Sequence, residues 1–144
     1  MADWDTVRKG LAKVIRGQVN GLRVYEYRPH STLHYPCLII DSVGDIAHNP
    51  ILQMGGFQAG LVCLLRVQSS VRDQAMKALE EYRWPNGSKS LFAAVNTDNT
   101  LDGSVLHGWV VSTTEPENDP DQGEAERPNE WQSRVIIQVT HAVN

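Results

Sequence analysis

Phe57–Gln68 reads FQAGLVCLLRVQ, and its period decides the fold. Phe57, Ala59, Leu61, Cys63, Leu65 and Val67 form one set of alternate positions, all apolar or small. Gln58, Gly60, Val62, Leu64, Arg66 and Gln68 form the other, polar at its ends and apolar in the middle. A period of two places successive side chains on opposite faces of a strand. One face is wholly apolar and the other is apolar only at its centre. The strand therefore belongs inside a sheet, with helices on one side and partial cover on the other.

The flanking segments supply those elements. Ser70 opens a helical stretch with Asp73 at capping-box distance, and Val71, Ala75, Leu79 and Tyr82 make its inner stripe. Trp84-Pro85-Asn86-Gly87 ends it, and a shorter helix is predicted over Ser88–Val95. On the N-terminal side, Gly44–Gly56 (GDIAHNPILQMGG) reads as a long loop whose Ile46, Ile51, Leu52 and Met54 are apolar. An apolar loop is often covered by a partner. Strands are predicted at Leu22–Tyr27 and Cys37–Asp41, joined by a linker that Pro29 and Pro36 keep extended. Before them, Trp4, Val7, Leu11, Val14 and Ile15 recur at helical spacing over residues 4–16, with Asp3 as N-cap and Gly17 as stop. Two closing strands follow. Val105–Thr113 has Val105, His107, Trp109 and Val111 at alternate positions, and Arg134–Val143 has Val135, Ile137, Val139 and Val143. The acidic, Pro- and Gly-rich 115–130 segment between them reads as an exposed hairpin loop.

The order α-β-β-β-α-α-β-β predicts one α+β domain over residues 1–144, an α/β sandwich. Its sheet is mixed, mostly antiparallel and of about five strands. The N-terminal helix and two further helices pack on one face, and 44–56 and 115–130 protrude as loops.

Composition narrows the function. The net charge of −4 argues against a general nucleic-acid binder. Charge is uneven: Arg8, Lys9, Lys13, Arg16, Arg23 and Arg28 crowd the start, and seven acidic residues from Glu115 to Glu130 crowd the late loop. Copies of one chain could use that asymmetry to meet head to tail, although a solvated helix face and a solvated loop are the readier explanation. MADWDTVRKG lacks the apolar core of a signal peptide, and no apolar run reaches the ~20 residues of a membrane helix. These features predict a soluble, cytoplasmically made protein. Cys37 and Cys63 lie in apolar runs and read as reduced core residues.

The motifs of catalysis are missing. There is no HExxH, CxxC, GxSxG, GxGxxG or GxxxxGK[ST]. His30 and His34 stand four apart, a metal spacing on a helix, but their segment is flanked by prolines. His107 and His141 fall on inward strand positions and read as core or interface histidines. The acidic residues after 115 lack the rigid, desolvated setting that a catalytic pair needs. Arg23-Val24-Tyr25-Glu26-Tyr27-Arg28 could stack bases, but a strand with tyrosines on one face accounts for it. No catalytic residue, metal ligand or cofactor site is predicted.

Four segments together resemble the tail terminator (tail completion) proteins of long-tailed bacteriophages. They are the N-terminal helix leading into GLRVYEYRPHSTLHYPCLII, the GGF turn entering FQAGLVCLLRV, the segment DQAMKALEEYRWPNGSKSLFAAVNTDNTLDGSV, and the closing pair VLHGWVVST and WQSRVIIQVTHAV. The resemblance lies in order and spacing over residues 5–143, and the 115–130 loop is longer than the family leads one to expect. It implies a non-enzymatic subunit of a ring, commonly a hexamer, on the head-proximal end of the tail tube. The implied ring stops polymerisation of the tube protein and joins the head-completion or connector protein. DNA would pass through the lumen without specific binding, and no membrane or cofactor is implied. Assembly would take place in the host cytoplasm and the product would reside in the virion.

A ring needs two different patches per subunit. The expected subunit or tube contacts are the apolar loop 44–56, with Ile46, Ile51, Leu52 and Met54, on one side, and the sheet edge or the 70–83 helix, with Arg72, Glu80 and Arg83, on the other. The alternatives are another head–tail connector or neck ring protein, a tube subunit, a small metal- or ligand-binding domain using His30, His34 and His48, and a host-encoded adaptor.

Overall fold

The structure, a computed structural model, describes residues 3–29, 33–48, 56–118 and 129–141. Along the chain run α1 (Trp4–Gln18), β1 (Arg23–Tyr25), β2 (Cys37–His48), β3 (Phe57–Gln68), α2 (Arg72–Arg83), α3 (Leu91–Thr97), β4 (His107–Thr113), β5 (Glu117–Asn118) and β6 (Glu130–His141). The sheet order is β1-β2-β3-β6-β4, with β5 also paired to β6. β1 runs parallel to β2 and every other pairing is antiparallel. The fold is thus α+β, with a mixed sheet of six strands where about five are predicted. The sixth is β5.

β3 lies where its pattern requires, between β2 and β6. Its pairing with β6 runs from Phe57 opposite His141 to Gln68 opposite Glu130 without a bulge. Leu61, Cys63 and Leu65 face the helix layer, beside Val135, Ile137 and Val139 of β6 and Leu38 and Ile40 of β2. Val7, Leu11, Ala12 and Ile15 of α1, Ala75, Leu79 and Tyr82 of α2, and Leu91, Ala94 and Val95 of α3 close over them. Burying each such large side chain stabilises the fold by ~1.5–3 kcal/mol. On the opposite face a small cluster, Cys37, Ile39 and Leu64 with Tyr25, Leu33 and Tyr35, contains no helical residue.

Several boundaries differ from the sequence reading, each for a local reason. Asp3 caps α1 as predicted, its side chain accepting from the Thr6 N–H at 2.8 Å. Gly17 does not stop the helix, which runs to Gln18. The turn falls at Gly21, whose φ of +80° suits glycine. β1 is shorter than Leu22–Tyr27 because the Arg8 guanidinium takes the Glu26 carbonyl (2.8 Å) where the chain leaves β2. β2 continues past Asp41, so residues 44–48 of the expected loop are strand, carried across two bulges. Ser70 and Asp73 form no capping box. α2 starts at Arg72 with Val71 as N-cap and no side-chain cap, and Val71 is exposed rather than part of the inner stripe. α3 is capped by Ser90, two residues later than the predicted start.

The largest correction concerns β4. His107 and Val111 are exposed, and Gly108 and Val110 face the core instead. The preceding turn packs against this face. Leu101 and Asp102 hold left-handed backbone angles (φ 49° and 60°), within a turn that the Asp98 carboxylate ties to the Thr100 and Asp102 amides. Leu101 is fully buried against Gly108, where an added Cβ would lie 3.4 Å from it. Leu101 packs over Gly108 at ordinary contact distance, and the inward set lies one residue from the predicted one. A bulge between Val110 and Ser112 shifts the register again. The late acidic segment is also not all exposed loop: Glu117–Asn118 pair with Gln132 and Trp131, and Glu130 is a buried strand residue.

Two glycines of α1 should respond oppositely to alanine. Gly17 has open space around it, so Gly17→Ala should stabilise the protein by ~0.5–1 kcal/mol. At Gly10 a Cβ would collide with the Leu101 carbonyl and meet Ser104 Oγ at 2.9 Å. Gly10→Ala should destabilise by ~1–3 kcal/mol despite better helix propensity. Urea unfolding of both variants checks the pair of signs.

Candidate interaction surface

Side-chain chemistry within the described residues gives little for catalysis. No group of three or more His, Cys, Asp or Glu is placed to hold a metal among the described residues. His34 is exposed, and its backbone N–H donates to the Tyr25 hydroxyl at 3.1 Å. His30 and the side chains of His48 and His141 lie outside the described residues. Cys37 and Cys63 are free and fully buried, on opposite faces of the sheet. Burial pushes both thiols up to about 12, so neither offers a thiolate nucleophile near neutral pH. No described helix is long and apolar enough to cross a membrane.

The predicted contact residues divide into two places. Arg72, Glu80 and Arg83 come together on α2, where with Asp73, Met76, Lys77, Glu115 and Pro116 they line an open cleft of about 470 Å³. Arg83 Nε donates to Thr113 Oγ1 at 3.0 Å, which fixes the C-terminal end of α2 to the end of β4. Ile46 belongs to the other place. It is a residue of β2, 56% exposed, rather than of a loop. Ile51, Leu52 and Met54 lie outside the described residues.

The sheet face away from the helices holds what the sequence reading missed. Arg66, Glu130 and Gln132 are each almost fully buried there. Arg66 Nε donates to Gln132 Oε1 at 2.8 Å, and Arg66 Nη1 stands 3.6 Å from Glu130 Oε1. The Tyr35 hydroxyl donates to Glu130 Oε2, and Gln132 Nε2 donates to Glu117 Oε1 at 3.3 Å. One buried network thus joins β3, β6, β5 and the linker before β2. The signal for it was present: Arg66 is the one charge within an apolar strand. Farther along the same face Val62, Ile136 and Trp109 are half-buried.

α1 carries the second set of fixing contacts. Arg8 is buried, stacks on the Tyr27 ring at 4.3 Å and donates to the Ile40 and Asp41 carbonyls at 2.5 and 3.3 Å. The Tyr27 hydroxyl donates to Asp5, and Lys9 pairs with Asp5 at 2.8 Å. The Lys9 ammonium and then the Tyr27 hydroxyl hold the Asp5 carboxyl below its usual range. Arg16 Nη2 donates to the Val24 carbonyl at 2.7 Å. The early arginines are therefore largely structural, and the basic N-terminal stretch is not a free cationic patch.

Compared with known proteins, the chain matches no family model, and no curated protein is similar enough to count as a match.

Two measurements check these geometries. Arg66→Ala should destabilise by ~3–5 kcal/mol, because Glu130 would keep its burial and lose its cation. Arg66→Met combined with Glu130→Gln should cost less than Arg66→Met alone, as urea unfolding will read. The thiols should be inert to a disulfide reagent at pH 8 and react once urea unfolds the chain. Their folded pKa is raised, so the stability they contribute is complete below the unfolded thiol value of ~8.5. It declines as pH rises from there toward 12, by up to ~1.4 kcal/mol per pH unit for each thiol.

Proposed function

We propose that this chain is a tail terminator-like structural protein of a long-tailed bacteriophage, without enzymatic activity. It forms a ring, a hexamer by resemblance to that family, on the head-proximal end of the tail tube. It stops tube polymerisation there and forms the joint to the head connector, so it resides in the virion.

The observation that carries this reading is a one-sided architecture. All three helices lie on one face of the sheet, and among the described residues the other face carries the Cys37, Ile39 and Leu64 cluster and the buried Arg66, Glu130 and Gln132 network, with Val62, Ile136 and Trp109 half-buried beyond them. Such a subunit has distinct surfaces for neighbours and for what lies above and below it. The fold also agrees with the one implied by the resemblance. The exposed Glu115 and Glu117 are in keeping with a surface that lets DNA slide past without binding. The other acidic residues up to 126 lie outside the described residues. The neighbouring reading, another head–tail connector or neck ring protein, shares the ring and differs in what the ring seals.

A capping assay separates the two. Tube subunits polymerising with a tenth of their amount of this chain should give short tubes, each with one ring at one end by negative-stain microscopy. The chain alone should form no tubes. Tubes of unchanged length and bare ends would end the terminator reading. Rings that bind the head connector but ignore the tube would favour the neck protein.

A further inference from the structure

The two sides of the sheet end differently along their length. β1 covers β2 only from Cys37 to Ile39. Just beyond, Arg8 occupies the Ile40 and Asp41 carbonyls. From Ser42 to His48 no strand pairs with the outer edge of β2 among the described residues. On the far side β4 pairs with β6 alone. Its outward Gly108 N–H is taken by the Asn99 carbonyl at 2.6 Å, and among the described residues no strand pairs with the outer edge of Trp109–Thr113.

These two open edges stand at the same level. Ile46, Ala59, Val139 and Gly108 share one row across the sheet, and Val43, Leu61, Ile137 and Val110 share another. The four strands in these rows, β2, β3, β6 and β4, are antiparallel pair by pair, so β2 and β4 run in opposite directions. A second copy turned about an axis along the strands brings its β2 beside the first copy's β4 in antiparallel sense. An even number of alternating strands makes the two ends of the sheet complementary.

Side chains at the edges point the same way. Six large hydrophobic residues are exposed among the described residues, and three of them flank these edges: Ile46, Leu106 and Val111 at 56%, 52% and 51%. Natural edge strands are commonly guarded by lysine, proline, inward charge or a bulge. HGWVVST has no lysine, proline or charge and one bulge after Val110, and SVGDIAH has a single charge, Asp45, in a bulge after Val43, so both edges are lightly guarded.

We propose that copies of this chain join head to tail by strand addition, the Ser42–His48 edge of one copy pairing antiparallel with the Trp109–Thr113 edge of the next. This rests on the ring reading for its occupant, a second copy, and names the seam by which the ring closes. The seam is heterologous, each copy giving β2 to one neighbour and β4 to the other. Main-chain hydrogen bonds hold it, and Ile46, Leu106 and Val111 lose their exposure in it.

The test uses the full chain, alone and with tube subunits, by sedimentation velocity and amide hydrogen exchange. On assembly, amides of 42–47 and 109–113 should slow at least tenfold, while the exposed loop at 85–88 should not change. Ile46→Lys and Val111→Lys lie at exposed positions and should keep the wild-type far-UV spectrum, yet each should remain monomeric. A mixture of the two variants retains one sound β2 and one sound β4 and should go no further than a 1:1 dimer, held weakly by a single seam and seen only at high concentration. Wild-type rings that persist in both variants, or that form with no slowing at either edge, overturn the seam and leave the ring reading standing. Open filaments that the variants abolish uphold the seam and remove the terminator reading. Edges that slow only on binding tube subunits, with no contact between copies, overturn a second copy as the occupant.

Discussion

The unbroken pairing of β3 with β6 is the constraint from which the remaining architecture follows. Both strands span twelve residues, and their register has no bulge from end to end. That leaves no freedom about which residues face inward. Once Leu61, Cys63 and Leu65 lie beside Ile137 and Val135, a slip of one residue would turn the whole set to the other face. The helices can then cover one face only. The charge at Arg66 is committed to the other, where Glu130 at the start of β6 is brought within reach by the same register. A buried ion pair is weak evidence of added stability, since desolvation offsets much of the attraction. Its contribution here is positional: Tyr35, Gln132 and Glu117 all organise around it.

Elements whose pattern is set by the core were legible in the sequence. β3 has the bounds its alternation predicts, and Val135, Ile137 and Val139 face inward as expected. The α1 stripe and its Asp3 cap are also where they were read. What failed was governed by contacts distant in sequence. No local pattern says that Arg8 will end β1 by taking the Glu26 carbonyl, or that Leu101 will pack over Gly108 on the inward face of β4. Pattern alone assigned His107 inward because an alternation can be started on either residue. Only the pairing with β6 and the packing of the core choose. Of the candidate contacts, Arg72, Glu80 and Arg83 were legible as neighbours from helical spacing. The strand character of Ile46 was hidden by Gly44, since a glycine in an edge ribbon reads as a loop.

The arginines of α1 change how the charge asymmetry should be understood. From composition, a basic N-terminal stretch against an acidic late segment looks like two complementary surfaces. In the fold, Arg8 and Arg16 are spent on backbone carbonyls, Lys9 on Asp5 and Lys13 on Asp102. Carbonyl oxygens fix Arg8 and Arg16 in place without cancelling their charge, and Arg23 is exposed, so the stretch stays basic although several of its side chains are held down. The proposed strand-to-strand seam draws on main-chain groups and apolar surface and should depend little on salt, since screening acts on exposed charges.

On the proposed reading, that distinction bears on how such a subunit stays a free chain before it assembles. A seam limited by the five-residue Trp109–Thr113 edge is short, well below the ~800 Å² per partner of a standard interface if nothing else contributes. One seam alone gives weak association. Closing a ring changes the arithmetic, because the last subunit makes two seams for a single loss of translational freedom. Weak seams that hold only when closed allow assembly to wait for a template. A protein that must add once, at one end of one polymer, benefits from being unable to nucleate elsewhere. On the proposed reading the short edges of β2 and β4, each interrupted by a bulge, suit that role, and a longer or more apolar edge would pair indiscriminately.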